Sequence, residues 1–169
     1  MTELNSDPST ETCIFCLISK GQDKNTEVIK ENKELVCFRD IVPAAPHHYL
    51  VVPKEHIRDC LSLHAGHVDL VKMMAKMGMA VLHDQGISDV KDISLGFHQP
   101  PYTSVAHLHL HVLAPASQIY EDMEYKFIPN SYRFVTVNAI AMTTLYAFVW
   151  EEHYLEAFST NEITMRTNE

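Results

Sequence analysis

Between residues 106 and 113 histidines and apolar residues alternate: His107, Leu108, His109, Leu110, His111, Val112. A period of two predicts a strand, with the three imidazoles on one face and Leu108, Leu110 and Val112 on the other. A rise of about 3.3 Å per residue sets successive imidazoles roughly 6–7 Å apart. Residues 65–85 follow a different period. Val68, Val71, Ala75, Gly78, Val81 and Leu82 recur at three- and four-residue spacing and predict one long helix. Gly86 supplies its left-handed stop, and Met73, Met74, Met77 and Met79 read as core filler. Shorter apolar runs predict strands over residues 27–31, 35–40, 48–52 and 93–97, with a turn at Asn32-Lys33. Pro46 and Pro53 bound the third strand, and Pro100-Pro101 enforces a loop before the fifth, 106–113. Residues 13–18 form a helical turn or two. Strands joined by short turns with one long helix define an α+β fold, a mainly antiparallel sheet of about five strands with one long and one short helix.

Charge narrows the partners. Lysine and arginine number 13 against 22 aspartates and glutamates, a net charge of −9. Non-specific binding to a nucleic acid backbone needs many cationic contacts, so no nucleic acid partner is expected. A small nucleotide needs only a local cradle. Residues 1–11 are polar and lack the apolar run of a signal peptide. The four cysteines are therefore expected in a reducing compartment, cytoplasmic and also nuclear, as free or metal-bound thiols. The apolar-rich stretch at 139–150 falls short of the roughly 20 residues that span a bilayer, so no membrane partner is expected. The chain divides into a disordered leader (1–11), a domain (12–137) and a divergent tail (138–169).

The histidine row admits three readings: a solvated face, a metal site, or a nucleophile. Imidazole, with an ordinary pKa near 6.5, is largely neutral at cellular pH. It can attack phosphorus and leave again, splitting one hard displacement into two.

Neighbouring segments separate these readings. Cys13-Ile14-Phe15-Cys16, residues 40–57 with His48-Tyr49-Leu50-Val51-Val52-Pro53-Lys54, Gly96-Phe97-His98-Gln99-Pro100-Pro101, Ser104, and His107 to Pro115 together resemble the histidine triad family over residues 13–137. Within that family they are similar to a nucleotide-binding branch that cleaves adenosine 5'-monophosphoramidates. The resemblance implies that His109 is the nucleophile and forms a transient nucleotidyl-histidine. It implies that His111 hydrogen-bonds the phosphate, that Ser104 contacts the phosphate or leaving atom, and that His48 and His107 complete the catalytic set. Asp40 is implied to accept ribose hydroxyls and Ile41 to wall the base, against readings of loop capping for Asp40 and ordinary packing for Ile41. His98 is a candidate phosphate contact or a surface histidine. The implied substrate is a purine nucleotide carrying an amine, hydrolysed without a catalytic cofactor by a homodimer or larger oligomer.

Cys13-x-x-Cys16 has the spacing of half a zinc site; the alternative is two reduced core thiols. Relatives with this pair imply a structural zinc on Cys13, Cys16, His48 and His107. Cys37 and Cys60 read as packing, and His56, His64, His67, His83 and His153 as surface histidines. Met142, Leu145, Tyr146, Val149, Trp150 and Tyr154 form either an apolar stripe or a poorly ordered tail. Three rivals to the amidase stand behind it. They are a regulatory nucleotide-binding protein with weak or vestigial activity, an aprataxin-like end-processing enzyme, and a plain metalloenzyme.

Overall fold

A computed structural model describes residues 12–144, with side chains to residue 140. The leader and the side chains of the 142–154 stripe lie outside what is described. A short helix α1 (Ile14–Ser19) precedes strands β1 (Val28–Glu31), β2 (Leu35–Arg39) and β3 (His47–Pro53). Helix α2 (Val68–Asp84) follows, then β4 (Ser94–His98), β5 (Leu110–Ala114), β6 (Phe134–Thr136) and helix α3 (Val137–Thr144). One antiparallel sheet runs in the order β1-β2-β3-β5-β4-β6.

The expected elements are present, and three features differ, the first being helix α3 (Val137–Thr144), additional to the one long and one short helix expected. The sheet has a sixth strand, the three-residue β6, which pairs with β4 through Phe97↔Val135 and His98↔Phe134. Three residues carry no readable periodicity. The fifth strand also starts later than the alternation predicts, at Leu110 rather than residue 106. Its partner β3 ends at Pro53 and its ladder with β5 stops at Val51↔Leu110. Instead the Leu108 amide donates to the Ile57 carbonyl at 2.6 Å. The alternation of faces survives all the same: Leu108 packs in the α2 core with Leu110 and Val112, while His107 turns to Cys13 and Cys16.

The periodicities explain the layers. The apolar stripe of α2 sends Val71, Met74, Ala75 and Leu82 into one core with Tyr49, Val51, Leu95, Phe97, Leu108, Leu110 and Val112. Met74, Met77 and Met79 are buried there, as filler should be. Gly86 takes φ of 83° just past the helix. The opposite sheet face carries the histidines. Helix α1 covers part of it by packing Phe15 and Ile18 on Val36, Phe38, Leu50 and Val52. Val137, the last residue of the expected domain, is buried, and Ile140 packs on the same α2 core.

Candidate active site

Strand β5 and the segment before it hold the three histidines. His107 is fully buried, and His109 and His111 are 6% and 5% exposed. Each ring is oriented by a different partner, and the chemistry of those partners fixes the protons.

His109 comes first. Its Nδ1 lies 2.7 Å from the His107 carbonyl oxygen. A carbonyl only accepts, so Nδ1 carries the hydrogen and Nε2 keeps a free lone pair. Nε2 has no partner among the described residues, yet it is not sealed in, unlike His111 Nε2. His109 lines a small opening with Arg58, Phe97, His98, Thr103 and Val105. The ring is largely buried but presents its basic nitrogen to that opening. Burial lowers its pKa, opposed by the bond to the His107 carbonyl. The imidazole is therefore neutral at neutral pH, the form that attacks phosphorus.

His111 is set through His48. The Ala44 amide donates to His48 Nδ1 at 2.9 Å. His48 Nε2 must then bear the hydrogen, which it directs at His111 Nδ1, 2.9 Å away. That leaves the hydrogen of His111 on Nε2, a buried donor without a partner. An unmet buried donor costs about 1–3 kcal/mol until an acceptor arrives. His98 packs edge-on against His111 with centroids 4.6 Å apart, its Nδ1–H donating to the Arg133 carbonyl at 3.3 Å. Phe127 and Phe134 close the cluster behind both rings.

Asp40 joins the same network. Its Oδ1 caps the loop by accepting from the Val42 amide at 2.8 Å. Its Oδ2 sits 3.3 Å from His48 Nε2 and 3.8 Å from His111 Nδ1. Burial raises its pKa, partly offset by the Val42 bond. Ile41 is 94% exposed, which removes the packing explanation for it. Ser104 is exposed in the loop before the histidines.

A second cluster lies at the other end of the row. Cys13, Cys16, His56 and His107 each bring one ligand atom, all within 4.8 Å of one another. The four match a Cys₂His₂ donor set. His107 Nε2 donates to the Pro53 carbonyl at 2.8 Å, which leaves Nδ1 a lone pair 3.4 Å from both sulfurs. A metal ligand needs that tautomer. The expectation of His48 in this cluster is corrected here. The pairing His48↔Leu113 carries it to the far end of β5, against His111. The chain beyond Pro53 brings His56 to the cysteines instead, with Nδ1 3.2 Å from Cys16 Sγ. His98 is likewise no plain surface histidine. Sequence reasoning placed His56 on the surface. Its signal was position, since it follows the strand that ends where His107 begins.

The buried histidines make an acid-stability prediction. Burial, then the His98 and His109 imidazoles, push His48 down to about 3. Burial, only partly offset by the bond to Arg133, takes His98 down to about 4. Unfolded, each titrates near 6.5. Between these values the unfolded chain binds more protons, so stability is full above about pH 6.5 and falls as pH drops toward 4. Each such group contributes a slope of up to about 1.4 kcal/mol per pH unit. Urea midpoints measured at pH 7.5, 6 and 5 should fall steadily. A flat profile would contradict the buried neutral imidazoles.

Comparison with known proteins agrees with this geometry. Residues 12–125 match the protein family described as scavenger mRNA decapping enzyme C-terminal binding. The chain is 59% identical over 122 residues to the adenosine 5'-monophosphoramidase HINT3 of Danio rerio, covering 72% of this chain and 76% of that protein. The Mus musculus protein of the same name is 44% identical over 127 residues, covering 75% and 77%. A solved HIT family hydrolase from Clostridium thermocellum shares 31% identity at a TM-score of 0.56, over 61% of this chain and 90% of that one. The chain belongs to the histidine triad family, and its imidazole cluster is hydrolytic machinery of that family. Within the family it stands close to the HINT3 proteins of fish, frog and mouse. Among the described residues no helix is long and apolar enough to cross a membrane.

Proposed function

We propose that this protein hydrolyses the phosphorus–nitrogen bond of adenosine 5'-monophosphoramidates through a nucleotidyl-His109 intermediate. The carrying observation is the proton placement at His109: Nδ1–H is held by the His107 carbonyl, and Nε2 faces the opening with its lone pair free. That nitrogen attacks phosphorus, forming a new N–P bond while the bond to the leaving amine breaks. The amine departs with the proton of the Ser104 hydroxyl, which the attacking water restores in the second step. Water then attacks the same phosphorus, AMP is released and His109 returns to its starting tautomer. The unpartnered His111 Nε2–H donates to a phosphate oxygen as charge develops. His48 holds His111 in that tautomer, and Asp40 steadies His48. The exposed Ile41 walls the base, and Asp40 accepts from the ribose with its remaining lone pairs. Adenosine as the base, and an amine as the leaving group, are supported by the names of the fish, frog and mouse relatives.

The test is release of AMP from adenosine 5'-phosphoramidate by the native chain. Turnover is expected. Tight nucleotide binding without turnover would favour a regulatory binding protein instead.

Cys13, Cys16, His56 and His107 are proposed to hold a structural zinc. When bound, the ion ties α1 to the chain before β5 and does no chemistry. Protein purified without added metal should contain about one zinc per chain, and a strong chelator should lower its melting temperature. A metal-free protein whose melting ignores the chelator would mean that the site holds only thiols.

A further inference from the structure

The segment that follows β3 carries a cation to the nucleophile. Arg58 lines the same opening as His109, together with Phe97, His98 and Thr103. Two ties hold its backbone there. The Ile57 carbonyl accepts from the Leu108 amide at 2.6 Å, next to His109 in the chain. The Cys60 thiol donates to the His98 carbonyl at 3.6 Å. Between them, Asp59 caps the turn at residues 60–62, with Oδ1 accepting from the Leu61 and Ser62 amides at 2.9 and 3.1 Å. Asp59 Oδ2 then stands 3.6 Å from Arg58 Nε. The carboxylate is 12% exposed and fixed by its cap, whereas the Arg58 side chain is 79% exposed. One end of the guanidinium is thus restrained, and its terminal N–H groups have no partner among the described residues.

Charge gives this position a use. A nucleotide brings an anionic phosphate to a chain of net charge −9, and a local cation must offset that repulsion. The imidazoles around the phosphorus position carry no full charge. His109 and His111 each hold one hydrogen, as their hydrogen bonds require. Burial takes His98 down to about 4, so it too is neutral at neutral pH. Among the described residues lining the opening, Arg58 is the one lysine or arginine.

We propose that Arg58 binds the phosphate of the nucleotide, its terminal guanidinium N–H groups donating to nonbridging oxygens while Asp59 keeps Nε. A planar fork of donors suits two phosphate oxygens at once. The phosphate is negative before attack as well as during it, so Arg58 acts on KM more than on kcat. It sets the preference for a nucleotide over the uncharged nucleoside. This inference rests on the reading of the opening as a nucleotide site and adds to it a residue that holds the anion.

The test is calorimetry with AMP and with adenosine, which differ by the phosphate alone. The native protein should bind AMP more tightly. Arg58→Gln should keep the native melting temperature, weaken AMP about tenfold, the range of a charge-assisted contact, and leave adenosine within about twofold. Arg58→Lys, which keeps the charge and loses the fork, should fall between the two. Added salt should weaken AMP binding more in the native protein than in Arg58→Gln. With adenosine 5'-phosphoramidate, Arg58→Gln should raise KM about tenfold and change kcat far less. Arg58→Ala gives the same comparison if the glutamine variant folds poorly. Unchanged AMP affinity, AMP and adenosine weakened alike, or native protein that binds AMP no more tightly than adenosine overturns the assignment. AMP binding that depends on Arg58, without turnover by the native protein, overturns the amidase reading and leaves the phosphate contact standing.

Discussion

Replacing His109 by alanine should reduce turnover of adenosine 5'-phosphoramidate by at least about four orders of magnitude, as expected when a covalent nucleophile is removed. The size follows from the geometry. Of the three triad rings, His107 spends one nitrogen on the Pro53 carbonyl and turns the other to the two sulfurs. His111 spends Nδ1 on His48 and presents only a hydrogen from Nε2. His109 alone among the three offers a lone pair toward the opening it lines. His111 cannot substitute without breaking its bond to His48. The variant should stay folded, since His109 bonds a backbone carbonyl and otherwise packs at Phe15 and His111. Turnover by the variant within tenfold of native would remove the assignment.

Gly96→Ala should be the most damaging of the small substitutions to the fold. Gly96 pairs with His111 on one side and with Thr136 on the other. A Cβ there would stand 2.5 Å from Phe134 Cζ and 2.6 Å from the Val135 carbonyl oxygen. Neither neighbour is the free end of a flexible chain. Phe134 is fully buried against Phe127 and His98, and the carbonyl is backbone. Relief therefore requires β6 to move away from β4. Overpacking of this kind costs about 1–3 kcal/mol, and more where backbone must shift. The same displacement drags Phe134 off His98 and His111, so activity should fall with stability. Chemical denaturation of Gly96→Ala, with kcat/KM on the soluble fraction, checks both. Native stability in this variant would mean that β6 is not seated as described.

The histidine row and the long helix were legible because each repeats its period for several turns or pairs. The strand alternation correctly put the imidazoles on one face and Leu108, Leu110 and Val112 on the other. Register was not legible. Nothing in the spacing of His48 says whether an antiparallel β3 brings it to His107 or to His111. The pairing Leu50↔His111 decides, sending His48 to one end of the row and His56 to the other. A strand as short as β6 was hidden for want of a period, although Phe134 buttresses the site. From sequence Asp40 is a nucleoside contact or a loop cap. The cap is there, and so is a contact with His48 that only the folded backbone creates. His98 lay in a loop whose burial depends on Phe127 and Phe134, distant in sequence.

A covalent adduct on one ring nitrogen underlies the whole mechanism. Native protein mixed with adenosine-labelled AMP amidate, quenched in base within the first turnover and digested, should yield one adenylylated peptide, with the label on His109. Label on His111, on Ser104 or on no residue while AMP is still released would contradict it.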